Sequence, residues 1–187
     1  MNIYDFDDTI YKGDSTRDFY FFCLKKSPSL CRYMPKQTVG FLKYYLNLQD
    51  KTAAKQDFYS FLQGLKNREQ AVIDFWNFHE KNIKPWYFER QREDDLIISA
   101  SPEFLLKEIM KRLNIKHLIC SEVDINTGKC ISPNCHGQEK VRRFYMEYDK
   151  DSTVDEFYSD SKSDEPMAKL ASRSFMVSDD KIEDWKF

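Results

Sequence analysis

The sequence has no excess of positive charge. Twenty-nine lysines and arginines stand against 31 acidic residues, for a formal net charge of −2, so there is no basic field to hold a nucleic-acid backbone and no polybasic membrane address. Nucleic acid is not an expected partner. No apolar run approaches membrane-spanning length. The first apolar run begins within a residue or two of Met1, which leaves no room for a cleavable leader and leads to the expectation of a cytoplasmic protein. A disulfide framework is also missing, because five cysteines are an odd number and Cys23, Cys31, Cys120, Cys130 and Cys135 are widely scattered. Cys130, Cys135 and His136 lie near one another, but their spacing is wider than zinc ligand pairs use and no second pair is visible, so small packing residues beside a hairpin are expected there. His79, His117 and His136 show no partner pattern that nominates a general base.

What is present is a soluble composition, 41% hydrophobic and 32% charged, in a chain long enough to bury a core as one domain or a domain with an insert. The chain opens on Ile3-Tyr4 followed by Asp5-Phe6-Asp7-Asp8-Thr9. A strand ending in carboxylates is where an open α/β sheet places its ligand crevice. Asp5 and Asp7, two residues apart, can approach one small volume past the strand end. Like charges held that close call for a cation between them or for a retained proton. Mg²⁺ is the natural candidate, being a hard ion that takes carboxylate oxygens together with a substrate phosphate. A plain turn or capping cluster is the alternative.

From Asp14 to about Gln91 the chain changes character, becoming rich in Phe, Tyr, Leu and Lys, with Gly40 and Gly64 its only glycines. Helices are predicted from Thr16 to Lys26, from Ser29 to Leu48, after Asp50, and from Glu69 to Lys81, with Asp14 and Ser15 as N-caps of the first. Four amphipathic helices in succession make a small bundle inserted into a sheet domain. Their aromatic stripes are read mainly as core, with Tyr20, Phe21, Tyr44, Tyr45, Tyr59 and Phe75 placed to line a pocket or touch a membrane surface. A short helix from Pro85 to Arg92 leads back to the sheet.

Leu96-Ile97-Ile98 is a second strand, ending at Ser99-Ala100-Ser101-Pro102 ahead of a helix that runs to Leu113. Hydroxyls and amides at a helix start suit an anion. Ser101 reads as the helix cap, which leaves Ser99 as the hydroxyl of interest. His117–Cys120 is a third strand, and Glu122–Ile125, Asn126-Thr127-Gly128 and Lys129–Ile131 read as a hairpin. A helix opened by Gly137-Gln138-Glu139-Lys140 runs to about Tyr148. Val154–Tyr158 is a strand that again ends in acids, with Asp160 a third oxygen donor and Asp164 placed to orient the first donors. A helix is expected through Ala171, then a last strand from Ser174 to Val177, with the acidic residues 178–187 peripheral.

In combination, Asp5-Phe6-Asp7-Asp8-Thr9, Ile97-Ile98-Ser99, Lys140, and Asp160 with Asp164 resemble the haloacid dehalogenase superfamily across nearly the whole chain. Ser99-Ala100-Ser101-Pro102-Glu103-Phe104, Gly137-Gln138-Glu139-Lys140-Val141 and the helical insert are similar to its phosphoserine-phosphatase-like branch. The resemblance implies an α/β fold: a Rossmann-like parallel-sheet core (1–13 and 92–187) carrying an α-helical bundle cap (14–91). It implies a Mg²⁺-dependent phosphatase in which Asp5 attacks phosphorus and Asp7 serves as acid and then base. Asp5, Asp7 (through its carbonyl) and Asp160 would hold the metal, Ser99, Ala100 and Lys140 the phosphate, and Thr9 and Asp164 would support them. An acid at Asp7 favours an ester over a halide, because a departing alkoxide needs a proton.

Two departures from that branch stand out. Ser159 replaces the usual glycine before the last acidic motif. Gly13-Asp14-Ser15 and Phe61–Lys66 lack the glutamate and arginine with which phosphoserine-specific members read their substrate. The run Tyr158–Pro166 is similar to that of phosphatidylglycerophosphatase members, so a small soluble phosphomonoester is the first expectation and a lipid phosphate the second. A binding protein without turnover is the reading from another class.

Overall fold

The first strand, β1 (Asn2–Tyr4), lies in the middle of a six-stranded sheet with β2 (Leu96–Pro102), β3 (His117–Ser121), β4 (Val154–Ser159), β5 (Ala171–Ser178) and β6 (Lys181–Asp184). In the computed structural model, which describes residues 1–149 and 151–187, the strand order is β3-β2-β1-β4-β5-β6. Every neighbouring pair is parallel except β5 and β6. Ile3 registers with Leu96 on one side and with Phe157 on the other. The chain winds outward from β1 to β3 and then returns to β4, so the winding direction reverses between β1 and β4. A crevice opens at such a reversal, beyond the carboxyl ends of the strands. This is the expected Rossmann-like core.

Both faces of the sheet are covered, which is why Leu96-Ile97-Ile98 in β2 reads as a continuous apolar run rather than as an alternating one. Ile3, Leu96, Ile98 and Phe157 face α7 (Gln138–Glu147) and α8 (Glu165–Ala168), burying Val141, Phe144 and Met167. On the opposite face Tyr4, Ile97 and Tyr158 belong to a larger cluster that takes in Phe19, Phe75, Trp76, Tyr87, Leu106 and Ile109. These come from α1 (Ser15–Lys26), α4 (Arg68–His79), α5 (Pro85–Arg90) and α6 (Glu103–Arg112). The Tyr4 ring stacks on Tyr158 at 4.8 Å and meets the Tyr87 ring edge-on at 5.1 Å, so α5 packs directly on the sheet.

Between α1 and α4 lie α2 (Met34–Tyr45) and α3 (Lys51–Tyr59). Asp14 and Asp50 cap α1 and α3 by accepting from the amides of Arg17 (2.9 Å) and Ala53 (2.7 Å). The single helix expected over 29–48 is divided: Pro28–Tyr33 is a 3-10 turn and α2 starts only at Met34. Pro35 explains the break, since proline is accommodated in a first turn but not inside a helix. Further 3-10 turns follow α3 (Ser60–Gly64) and α4 (Glu80–Asn82).

The carboxyl-terminal region differs more. The helix expected to reach Ala171 ends at Ala168, and β5 is already formed at Ala171. Residues 178–187 are not peripheral: β6 pairs with β5, the Trp185 amide donates to the Ser174 carbonyl at 2.8 Å, and the indole is buried. The expected hairpin over 122–131 is present in short form: Val123 pairs with Cys130, and the amides of Asp124 and Ile131 donate to the carbonyls of Lys129 and Glu122 at 2.9 Å each. Among the described residues no helix is long and apolar enough to cross a membrane.

Candidate active site

The loop after β1 is fixed from several sides. The Asp5 amide continues the sheet by donating to the Tyr158 carbonyl at 2.9 Å, and the amides of Ile10 and Tyr11 both return to the Phe6 carbonyl. Asp8 adopts φ 51° and Gly13 φ 108°. The carboxylate of Asp8 accepts from the Gly13 amide at 3.0 Å, closing the loop, and the wholly buried Phe6, Ile10 and Tyr11 anchor it below. The Lys84 ammonium donates at 2.5 Å to the carbonyls of Asp8 and Asp179, tying this loop to the β5–β6 turn. Asp5 and Asp7 therefore sit on a backbone with little freedom.

Lys140, near the start of α7, is buried with its Nζ 2.6 Å from Asp5 Oδ1 and 2.7 Å from Asp164 Oδ2. Burial alone would strip its proton, but Asp5 and Asp164 outweigh that and hold the ammonium well above the usual lysine range. Burial raises Asp5 against the pull of Lys140. Ser159 donates to the same Asp164 oxygen at 2.8 Å, while Asp164 Oδ1 is buried with no partner. Ser159 lies within β4 and is not among the residues with positive φ, so a serine replaces the usual glycine without backbone strain. Asp160 follows β4; its amide donates to Thr9 Oγ1 at 3.0 Å, and its carboxyl is raised by burial and then by the nearby Asp8.

Asp7 is held differently from the sequence expectation. One carboxylate oxygen accepts from the Ser15 amide at 2.7 Å and the other from the Ser101 hydroxyl. Ser101 has one proton, so the 2.8 Å contact with Thr16 Oγ1 is a donation from Thr16. Burial, followed by the Asp14 charge, raises Asp7 to about 6. The reading of Ser101 as a helix cap is thus corrected: Pro102 occupies the N-cap of α6 without a side-chain bond, and Ser101 turns to Asp7 instead. The buried Ser99 hydroxyl accepts from the Ser101 amide at 3.1 Å.

A cavity of about 620 Å³ joins these groups: Asp5, Asp7, Ser99, Ala100, Lys140, Asp160 and Asp164 all line it, while Thr9 stands behind Asp160. The facing wall comes from α1, α2 and α3, with Tyr20, Phe21, Phe41, Phe58 and Tyr59 alongside Arg17, Lys51 and Lys55. The two α3 lysines were not singled out from the sequence. Their signal is the i, i+4 spacing after the Asp50 cap, which looks like any solvated helix face. Lys55 donates to the Ala100 carbonyl at 2.7 Å, and burial followed by neighbouring Lys51 lowers it to about 8.

Among the described residues no three His, Cys, Asp or Glu side chains are drawn together as a metal cluster. Both oxygens of the Asp7 carboxylate already accept hydrogen bonds, and its backbone carbonyl is a further oxygen donor. The other donors fit a hard cation. They are all oxygen, Asp5 and Asp164 share the one ammonium of Lys140 as their salt-bridge partner, and Asp164 leaves one buried oxygen without a partner.

A doubly wound sheet whose central strands end in aspartates, with a buried lysine tying the two ends together, belongs to the α/β enzymes that work at the carboxyl edge of a parallel sheet. A family model described as haloacid dehalogenase-like hydrolase matches residues 3–169, and the chain belongs to that family. Among solved structures it is similar to a Bordetella pertussis Tohama I protein described as of unknown function, at 16% identity and a TM-score of 0.74, covering 93% of this chain and 87% of that one. A phosphoserine phosphohydrolase-like protein from Francisella tularensis is 15% identical with a TM-score of 0.58, covering 93% and 86%. A probable phosphoserine phosphatase from Vibrio cholerae is 13% identical with a TM-score of 0.61; the match covers 92% of this chain but 55% of that one. No curated protein matches the chain in sequence.

Proposed function

We propose that the protein is a Mg²⁺-dependent phosphomonoesterase that works through an aspartyl-phosphate on Asp5. The observation that carries this reading is the buried bridge from Asp5 through Lys140 to Asp164, which brings β1, α7 and the region after β4 to one point at the cavity floor. A carboxylate is a weak nucleophile in water but an effective one when desolvated and held in line with phosphorus. The Asp5 oxygen bonds to phosphorus as the phosphorus–alkoxide bond breaks, and Asp7 gives its proton to the departing alkoxide. Water then transfers a proton to Asp7 as its oxygen attacks phosphorus; the Asp5–phosphorus bond breaks and phosphate leaves. Lys140 and Ser99 hold phosphoryl oxygens, with the backbone at Ala100 facing the charge that develops there. Ser101 and the Ser15 amide keep Asp7 aimed into the cavity. Asp5, Asp160 and the Asp7 carbonyl would hold Mg²⁺, which supplies charge neutralisation among the acids and polarises the phosphate.

Residues 14–91 act in this reading as a cap over residues 1–13 and 92–187, supplying the aromatic wall of the cavity. A cavity of about 620 Å³ lies within the size range of small-molecule sites. A small soluble phosphomonoester with an apolar portion is the substrate class it fits. A lipid phosphate is the second reading, favoured by Phe21 and Phe41, which line the cavity and are also exposed to solvent. The test is release of phosphate from p-nitrophenyl phosphate with Mg²⁺. Wild type turns over, and Asp5→Asn falls by about a thousandfold or more; equal rates for the two proteins would overturn the reading.

A further inference from the structure

Helix α2 is oriented against its own composition. Its buried residues are Gln37 and Gly40, not its apolar ones. Gln37 accepts from the Tyr20 hydroxyl at 2.7 Å and donates to the Phe58 carbonyl at 2.9 Å. Gly40 lies so close to α3 that an added Cβ would stand 2.7 Å from Asp57 Cβ. On the opposite side Val39, Leu42 and Leu46 recur at helical spacing, each about half exposed, and Tyr45 beside them is 82% exposed. A surface helix ordinarily turns such a stripe inward, and a contiguous exposed apolar face marks an interaction surface.

Residues 19–49, the segment that carries this face, hold charge of one sign. No aspartate or glutamate occurs between Asp18 and Asp50, whereas Lys25, Lys26, Arg32, Lys36 and Lys43 do, in a chain whose net charge is −2. Lys26 and Lys36 pair with Asp74 and Asp57. Lys43, on α2 itself, has no carboxylate partner among the described residues. Phe41, on the same helix, lines the cavity and is half exposed.

We infer that α2 docks on an anionic lipid surface, with Val39, Leu42 and Leu46 entering the headgroup boundary and Lys43 meeting lipid phosphates. A helix with an apolar face flanked by lysines lies in such an interface, and each cation near an anionic leaflet adds to binding. A second copy of the chain fits worse, since a two-fold contact would set this acid-free, basic segment against itself. Docking needs neither Asp5 nor a metal, so it stands or falls separately from the phosphatase reading.

Co-sedimentation with vesicles tests it, using phosphatidylcholine alone and an equal mixture with phosphatidylglycerol. Wild type should partition at least tenfold more strongly onto the mixed vesicles, with the preference falling as salt rises. Asp5→Asn should bind as wild type does. Leu42→Ser/Leu46→Ser should stay in the supernatant while keeping its melting temperature and its hydrolysis of an aryl phosphate, and Lys43→Glu should weaken only the preference for the mixed vesicles. Wild type left in the supernatant with both vesicles, or a double variant that binds like wild type, would overturn the inference. So would a concentration-dependent dimer that the same double variant abolishes.

Discussion

Lys140 is a buried cation between two buried carboxylates, and removing it costs far more than removing one surface charge. Lys140→Met leaves Asp5 and Asp164 facing each other without a counter-charge, and stability should fall by about 3–5 kcal/mol in urea unfolding, with activity lost. Adding Asp164→Asn should restore part of that stability, and a double variant no better than the single one would speak against the charge explanation. Asp95, just before β2, carries a second buried charge. One of its oxygens accepts from the Arg92 amide at 2.8 Å, while the other is buried without a partner. Burial raises it to about 6 from an ordinary 3.8. The folded chain then holds this proton more tightly than the unfolded chain does, so its contribution to stability is present below about pH 4 and is lost as pH rises through about 6. Asp95→Asn should flatten that part of the stability–pH curve, matching wild type near pH 3 and exceeding it near pH 7. Chemical denaturation across that range reads the slope.

Among the elements, the turn over residues 126–128 shows how closely the helices lie against the loops of the core. Gly128 has φ 74°, and an added Cβ would stand 2.4 Å from the Tyr59 carbonyl oxygen at the end of α3. Gly128→Ala should lose about 1–3 kcal/mol, measured by thermal or urea unfolding, because both the backbone angle and the contact oppose it. The strands carrying the candidate site were legible in the sequence, since Ile3-Tyr4 and Leu96-Ile97-Ile98 are apolar runs, Val154–Tyr158 closes on Phe157-Tyr158, and all three stop at polar oxygens. Other features carry no such local sign. β6 reads Lys181-Ile182-Glu183-Asp184, and a short charged edge strand is hard to tell from a polar tail. Ser101 stands where caps ordinarily stand, and only the arrival of Asp7 from a distant strand redirects its hydroxyl. Lys51 and Lys55 became cavity residues through the packing of α3, which pattern alone does not supply.

For the molecule as a whole, the proposed metal joins segments far apart in sequence and should therefore stabilise the folded chain specifically. Mg²⁺ at a hundredfold excess over its dissociation constant adds about 2.7 kcal/mol, which for a domain of this size raises the melting temperature by roughly 5–10 °C. Asp160→Asn should lose most of that shift; an unchanged shift would place the ion elsewhere. The position of β1 also bears on how the chain is made. Its neighbours on either side, β2 and β4, come much later in the sequence, and 135 positions separate Asp5 from Lys140. A ribosome adding about 5–20 residues per second exposes the first strand and its acidic loop roughly 7–30 seconds before the lysine that neutralises them. During that interval the nascent chain carries a would-be central strand with both edges bare, a natural client for a holding chaperone until synthesis has passed β4.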